Sequence, residues 1–156
     1  HAAAVRHYAE LHGALGEGPY PGVREMLAAL RAAGYPLGIV TGKGRSAWEV
    51  TEAALGLGPF GVVVTDDDVS APKPDPEGLR LAAAGLDVPA AACLYVGDSP
   101  GDLEAGRNAG MRVAAALWPK TAPGESDAFL QQVRRFAPEW SFAHPGDVTR
   151  ALAAWC

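Results

Sequence analysis

Apolar positions fall into two alternating patterns along the chain, stretches with helical spacing and short continuous runs. Val5, Tyr8, Leu11 and Leu15 recur at helical spacing, which predicts a helix over Ala2–Leu15, broken by Gly16–Pro21. A second helix is predicted over Gly22–Ala33, with Val23, Leu27 and Leu30 on one face and Gly34 as its stop. Pro36–Val40 reads as a short buried strand ending at Thr41-Gly42-Lys43-Gly44, and Ser46–Leu55 as a helix stopped by Gly56. Phe60–Thr65 reads as a strand followed by Asp66-Asp67-Asp68. Beyond a proline-laced loop, Ala71–Pro76, a helix is predicted over Glu77–Ala84 and a buried strand over Ala92–Val96. Ser99 then has the character of an N-cap, with Pro100 at the first helical position, where no amide donor is needed. A strand over Met111–Leu117, a helix over Ser126–Phe136, a short edge strand over Trp140–Phe142 and a helix over Gly146–Ala154 complete the pattern. Strands alternating with helices predict an α/β three-layer sandwich, its mainly parallel sheet covered on both faces.

Bulk properties narrow the function classes. The 156 residues suffice for one domain with a core, and 49% apolar with 20% charged content is ordinary for a globular protein. A net charge of −5 argues against nucleic acid or an anionic membrane as the main partner. No apolar run reaches the length of a membrane span, and the start lacks a signal-peptide layout. Cys93 falls within a strand and Cys156 at the last position, without metal-site spacing, so a reduced, cytoplasmic protein is the simplest reading. The first residue is His1 rather than Met, which points to a longer native polypeptide.

Candidate chemistry gathers where strands end. Asp98 closes an apolar strand, the edge at which open α/β sheets place ligands, and Asp102 follows in the first helical turn. Two hard carboxylates there can hold Mg²⁺ and leave room for water and phosphate. Ser99-x-x-Asp102 is equally a capping box, which by itself would explain Asp102. Thr41 presents a hydroxyl beside the amides of Gly42 and Lys43, just before a helix start; a local turn bond is its commoner use. Lys73, one of only three lysines, stands between Pro72 and Pro74, which hold its loop extended. Its ammonium can offset a phosphate and nearby carboxylates. Lys43 and Arg45 lie near enough to reach a substrate, or serve as surface charges.

These residues resemble the haloacid dehalogenase-like hydrolases, in particular the phosphoglycolate phosphatase-like branch. The resemblance rests on Ile39-Val40-Thr41-Gly42-Lys43, Lys73-Pro74-x-Pro76, and Val96-Gly97-Asp98-Ser99-x-x-Asp102 with Asn108-Ala109-Gly110, in that order, and covers roughly residues 19–118. It implies a Rossmann-like core over residues 19–156, entered at Pro19–Val23, with residues 1–18 as the last helix of a largely absent helical cap. It also implies a Mg²⁺-dependent phosphatase acting on a small phosphorylated metabolite such as 2-phosphoglycolate. Thr41 and the Gly42 amide would bind the phosphoryl group, with Lys43 alongside, and Lys73 would neutralise that group. Asp98 would bind the metal, with Asp102 supporting the metal or Lys73. Such catalysis rests on positioning and charge neutralisation.

One departure is large. The family's nucleophile, the first Asp of an Asp-x-Asp motif on the central first strand, has no counterpart here. That strand is expected to be missing, leaving two inner sheet edges whose unpaired backbone groups would each cost about 1–3 kcal/mol. Asp66-Asp67-Asp68 mimics the motif but lies between the Thr41 and Lys73 motifs, where the family carries a variable acidic loop. Within the family, phosphonate hydrolysis and sugar-phosphate isomer transfer use similar cores, while a dehalogenase would not need the two carboxylates. A non-catalytic module binding a phosphorylated ligand or a protein is the rival from another class. A phospho-accepting receiver domain fits less well, because its acidic cluster precedes its Thr and Lys. Trp118, Trp140, Phe142 and Trp155 would mark a homodimer face if exposed, core packing being their commoner use.

Overall fold

The computed structural model describes the backbone of Ala3–Arg6 together with residues 19–155. In chain order the elements are β1 (Ala3–Arg6), α1 (Val23–Ala32), β2 (Leu37–Val40), α2 (Arg45–Leu55), β3 (Val62–Val64), α3 (Glu77–Gly85), β4 (Cys93–Gly97), α4 (Pro100–Asn108), β5 (Arg112–Ala116), α5 (Glu125–Val133), β6 (Trp140–Phe142) and α6 (Gly146–Ala153). The strands form one sheet in the order β3-β2-β1-β4-β5-β6, and every neighbouring pair is parallel.

Alternation along the strands divides the core into two layers, as the period of a strand requires. Leu37 and Ile39 of β2, Leu94 and Val96 of β4, and Ala114 and Ala116 of β5 pack with the apolar stripes of α1, α2 and α6. Val40, Cys93, Tyr95, Val113 and Ala115 face the other way, against α3, α4 and α5. The molecule is therefore the expected three-layer sandwich. The capped boundary at Ser99 and Pro100, the edge position of β6 and the αL stop at Gly56 also follow the sequence pattern.

β1 departs from expectation. Residues Ala3–Arg6 were expected to begin a helix, yet they occupy the centre of the sheet, pairing Ala4 with both Leu37 and Leu94, and Arg6 with both Ile39 and Val96. The slot expected to stand vacant is thus filled. The physical reason is the inner edges of β2 and β4: rows of backbone donors and acceptors that only another strand can satisfy, a demand that overrides weak helical preference. The remainder of the expected cap helix, beyond Arg6, lies outside the described residues.

The aromatic side chains do not form an exposed face. Phe142 is buried in the core, with Trp118, Trp140 and Trp155 packed half-buried against it. The Arg112 guanidinium lies over the Trp140 and Trp155 rings, at 4.9 and 4.1 Å from their centroids. No helix among the described residues is long and apolar enough to cross a membrane.

Candidate functional site

Parallel strands bring their C-terminal ends to one edge, so the segments after β2, β3 and β4 meet there. Thr41 follows β2 and is buried; its N–H donates to the Val64 carbonyl at 2.9 Å, tying it to β3. Its hydroxyl accepts the Lys43 N–H at 3.2 Å, which is the local turn bond. Thr41 and Gly42 line a cleft of about 220 Å³ with Asp66, Val69, Pro72, Lys73 and Asp75. Lys43 is not part of that lining: its backbone serves the turn, the carbonyl accepting the Asp66 N–H at 3.0 Å.

Lys73 joins this cleft to the carboxylates behind it. Its ammonium sits 2.7 Å from Asp102 Oδ1, in a pair whose side chains are only 14% and 1% exposed. Burial holds the Lys73 ammonium below the ordinary lysine range, opposed by the charges of Asp102, Asp98 and Asp66. Asp102 has two duties. Its N–H donates to Ser99 Oγ at 3.2 Å, while its Oδ2 accepts the N–H of Ser99 at 3.1 Å and of Asp98 at 3.3 Å. The capping box and the ion pair are thus one structure, and the cap aims Oδ1 at Lys73. Gly97 makes room for it: a Cβ there would lie 2.3 Å from Asp102 Cβ.

Asp98 differs from Asp102 in having an idle oxygen, for its Oδ1 is buried without a hydrogen-bond partner among the described residues. Burial, reinforced by the Asp102 charge, pushes the Asp98 carboxyl up to about 6, against the opposing pull of Lys120 and Lys73. A buried, unpartnered carboxylate oxygen at a strand mouth is the donor a hard cation takes, so the site fits Mg²⁺. Asp98 would supply the direct ligand. Both oxygens of Asp102 are already engaged, which suits it to support rather than ligation. Among the described residues no group of three or more His, Cys, Asp or Glu side chains assembles as a metal cage.

Asp66-Asp67-Asp68 forms a turn of 3-10 helix with structural duties. Asp67 Oδ2 accepts the Arg45 N–H at 2.7 Å, covering a donor at the start of α2. Asp68 accepts from the Thr65 N–H and hydroxyl and is paired with Arg45. Hydrogen bonds from Thr65 hold the Asp68 carboxyl below its ordinary range, with Arg45 adding to the effect. Arg45, considered from sequence as a substrate contact, is thereby committed to the loop, where it also donates to the Val63 carbonyl at 3.2 Å. Of the three aspartates, Asp66 alone lines the cleft.

Two participants escaped the sequence reading. Lys120, on the loop after β5, exerts its charge on Asp98. Tyr95 is completely buried in β4, and its hydroxyl lies 3.4 Å from both Lys73 Nζ and Asp102 Oδ1. The one signal for Tyr95 was a polar tip in an otherwise apolar strand.

Comparison with known proteins identifies the family of the chain. The family model described as haloacid dehalogenase-like hydrolase matches residues 2–116. A plasmid-borne phosphoglycolate phosphatase of Cupriavidus necator is 44% identical over 120 residues, which is 76% of this chain and 52% of that protein. Pyrophosphatase PpaX of Bacillus velezensis is 45% identical over 100 residues, 64% of this chain and 46% of that protein. The chain therefore spans about half the length of these curated relatives. Among solved structures, a HAD family hydrolase of Deinococcus radiodurans with bound phosphate and sodium superimposes with a TM-score of 0.74 at 26% identity, covering 86% of this chain and 58% of that one. With a matched model spanning most of its length, the chain belongs to the haloacid dehalogenase-like hydrolases.

Proposed function

We propose that this chain carries the phosphoryl-binding and metal-binding part of a cytoplasmic, Mg²⁺-dependent phosphomonoester hydrolase acting on a small phosphorylated metabolite, with 2-phosphoglycolate as the first candidate. The carrying observation is the buried Lys73–Asp102 pair, which opens on one side to the Thr41 cleft and faces Asp98 on the other. Thr41 and the Gly42 amide hold the phosphoryl oxygens, and the Lys73 ammonium neutralises charge on them. Asp98 holds Mg²⁺, which when bound offsets phosphoryl charge as a Lewis acid. Asp102 keeps Lys73 oriented. The nucleophilic Asp belongs to a part of the native polypeptide outside this chain, whose first aspartate is Asp66. The named relatives, a phosphoglycolate phosphatase and a pyrophosphatase, support the reaction class.

The test uses the polypeptide encoded by the native gene. It should release phosphate from 2-phosphoglycolate only with Mg²⁺, and Thr41→Val and Lys73→Met should each lower kcat/KM by roughly 100-fold or more. A full-length protein that binds phosphate but releases none from any phosphomonoester would leave the second reading, a non-catalytic binder of a phosphorylated ligand. One observation favours that second reading: Ala3–Arg6, the central strand, carries no carboxylate that could serve as nucleophile.

A further inference from the structure

Tyr95 occupies a position that packing alone would give to phenylalanine. It is completely buried in the layer formed by Leu79, Leu103, Met111 and Val113, where an unpartnered hydroxyl would cost free energy. Its ring is seated by α4: a Cβ added to Gly106 would lie 3.2 Å from Tyr95 Cδ1. That seat places the phenol oxygen 3.4 Å from Lys73 Nζ and 3.4 Å from Asp102 Oδ1. The hydroxyl can thus accept from the ammonium while donating to the carboxylate, closing a three-membered network with the 2.7 Å ion pair. The three groups come from different elements: Lys73 from the proline loop, Tyr95 from β4 and Asp102 from α4. A loop lysine on a flexible stem needs more than one restraint to hold its ammonium at a fixed point.

We infer that Tyr95 is a positioning residue, whose hydroxyl braces the Lys73 ammonium against Asp102 so that Lys73 meets the phosphoryl group from one fixed direction. The inference rests on the role of Lys73 given above. Burial, and then the Asp102 charge, hold the phenol protonated by pushing it well above the usual tyrosine range. Tyr95 therefore acts as a neutral bridge and transfers no proton.

A double-mutant cycle on the full-length protein tests this. Tyr95→Phe, Lys73→Met and the double variant are compared by calorimetric affinity for inorganic phosphate with Mg²⁺ and by thermal midpoint. Tyr95→Phe should weaken phosphate binding roughly 5- to 10-fold with a midpoint within about 5 °C of the parent. In the Lys73→Met background the same change should cost nothing further, because the hydroxyl acts only through Lys73. No loss in the parent, or an equal loss in both backgrounds, overturns the proposal. If the parent binds no phosphate, the functional reading fails separately. The brace is then read from the Lys73 ¹⁵Nζ ammonium signal: several-fold faster hydrogen exchange in Tyr95→Phe supports it, and unchanged exchange overturns it. Should Tyr95→Phe lower the midpoint more than expected, Leu103→Ala, which loosens the same layer but removes no polar group of the network, should leave phosphate affinity unchanged; a matching loss of affinity there overturns the proposal.

Discussion

Two acidic segments, separated by the width of β2 and β1, lie at the C-terminal edge of the sheet and share a local design. After β3, Thr65 and Asp68 form a capping box; after β4, Ser99 and Asp102 form another. Each acid also takes a cation, Arg45 for Asp68 and Lys73 for Asp102. Their surroundings differ. Asp68 is 37% exposed and its pair lies in solvent, whereas Asp102 is 1% exposed beneath a lysine that the proline loop carries over it. The same local motif is a surface fastening in one place and the base of a charged site in the other. Burial decides between them, because water screens the first pair and leaves the second nearly undiluted.

The comparison is most sharply broken by removing each acid in turn. Asp102→Asn should leave the buried Lys73 ammonium without its counter-charge and cost about 3–5 kcal/mol in urea unfolding, since a buried pair with one partner removed exposes an uncompensated charge. Asp68→Asn should cost far less. Similar losses at the two positions would erase the distinction.

Asp98 supplies the next effect, read in protein kept metal-free with EDTA. Its carboxyl is raised from 3.8 to about 6 in the folded protein, so the folded state holds this proton more tightly than the unfolded one. Its contribution is therefore fully present below about pH 4 and is lost as pH rises through about 6, a fall of at most about 3 kcal/mol for a shift of roughly two units. Asp98→Asn should flatten that slope and be the more stable protein above pH 6. Adding Mg²⁺ at pH 7.5 should raise the thermal midpoint of the parent and leave Asp98→Asn unmoved; an equal response in both would remove Asp98 from the metal site.

Gly97→Ala should cost about 1–3 kcal/mol, because the new methyl would overlap the start of the Asp102 side chain and force the helix away. Phosphate affinity should fall with it, whereas a loss of stability with intact affinity would mean that Asp102 keeps its aim. The smallest effect belongs to the exposed segment. Asp68→Ala should cost about 1 kcal/mol as a lost cap, and the part due to Arg45 should fade in 1 M salt. Persistence of the full effect at high salt would place it in the Thr65 hydrogen bonds alone.

Much of the candidate site was legible because its signals are local. An apolar run followed by Gly97-Asp98, a threonine after Val40 and a lysine between two prolines each declare a strand end or a stiff loop within a few residues. Tyr95 was not legible, since a tyrosine inside a buried strand reads as core and Lys73 and Asp102 lie 22 and 7 positions away. Nor did the sequence separate the uses of Asp66, Asp67 and Asp68, which depend on where Arg45 and the cleft fall in space.

What the sequence by itself determined is the alternation of strands and helices, the boundaries near Ser99, Gly56 and Pro72–Pro76, and the order of the motifs, all consequences of side-chain period, caps and restricted backbone. Tertiary structure alone decided the place of Ala3–Arg6. Four residues inside a sequence pattern with helical spacing became the central strand because β2 and β4 each present an inner edge of backbone groups that only another strand between them can pair. It also decided which capped aspartate is buried against a lysine, a property of packing between distant segments that no local pattern encodes.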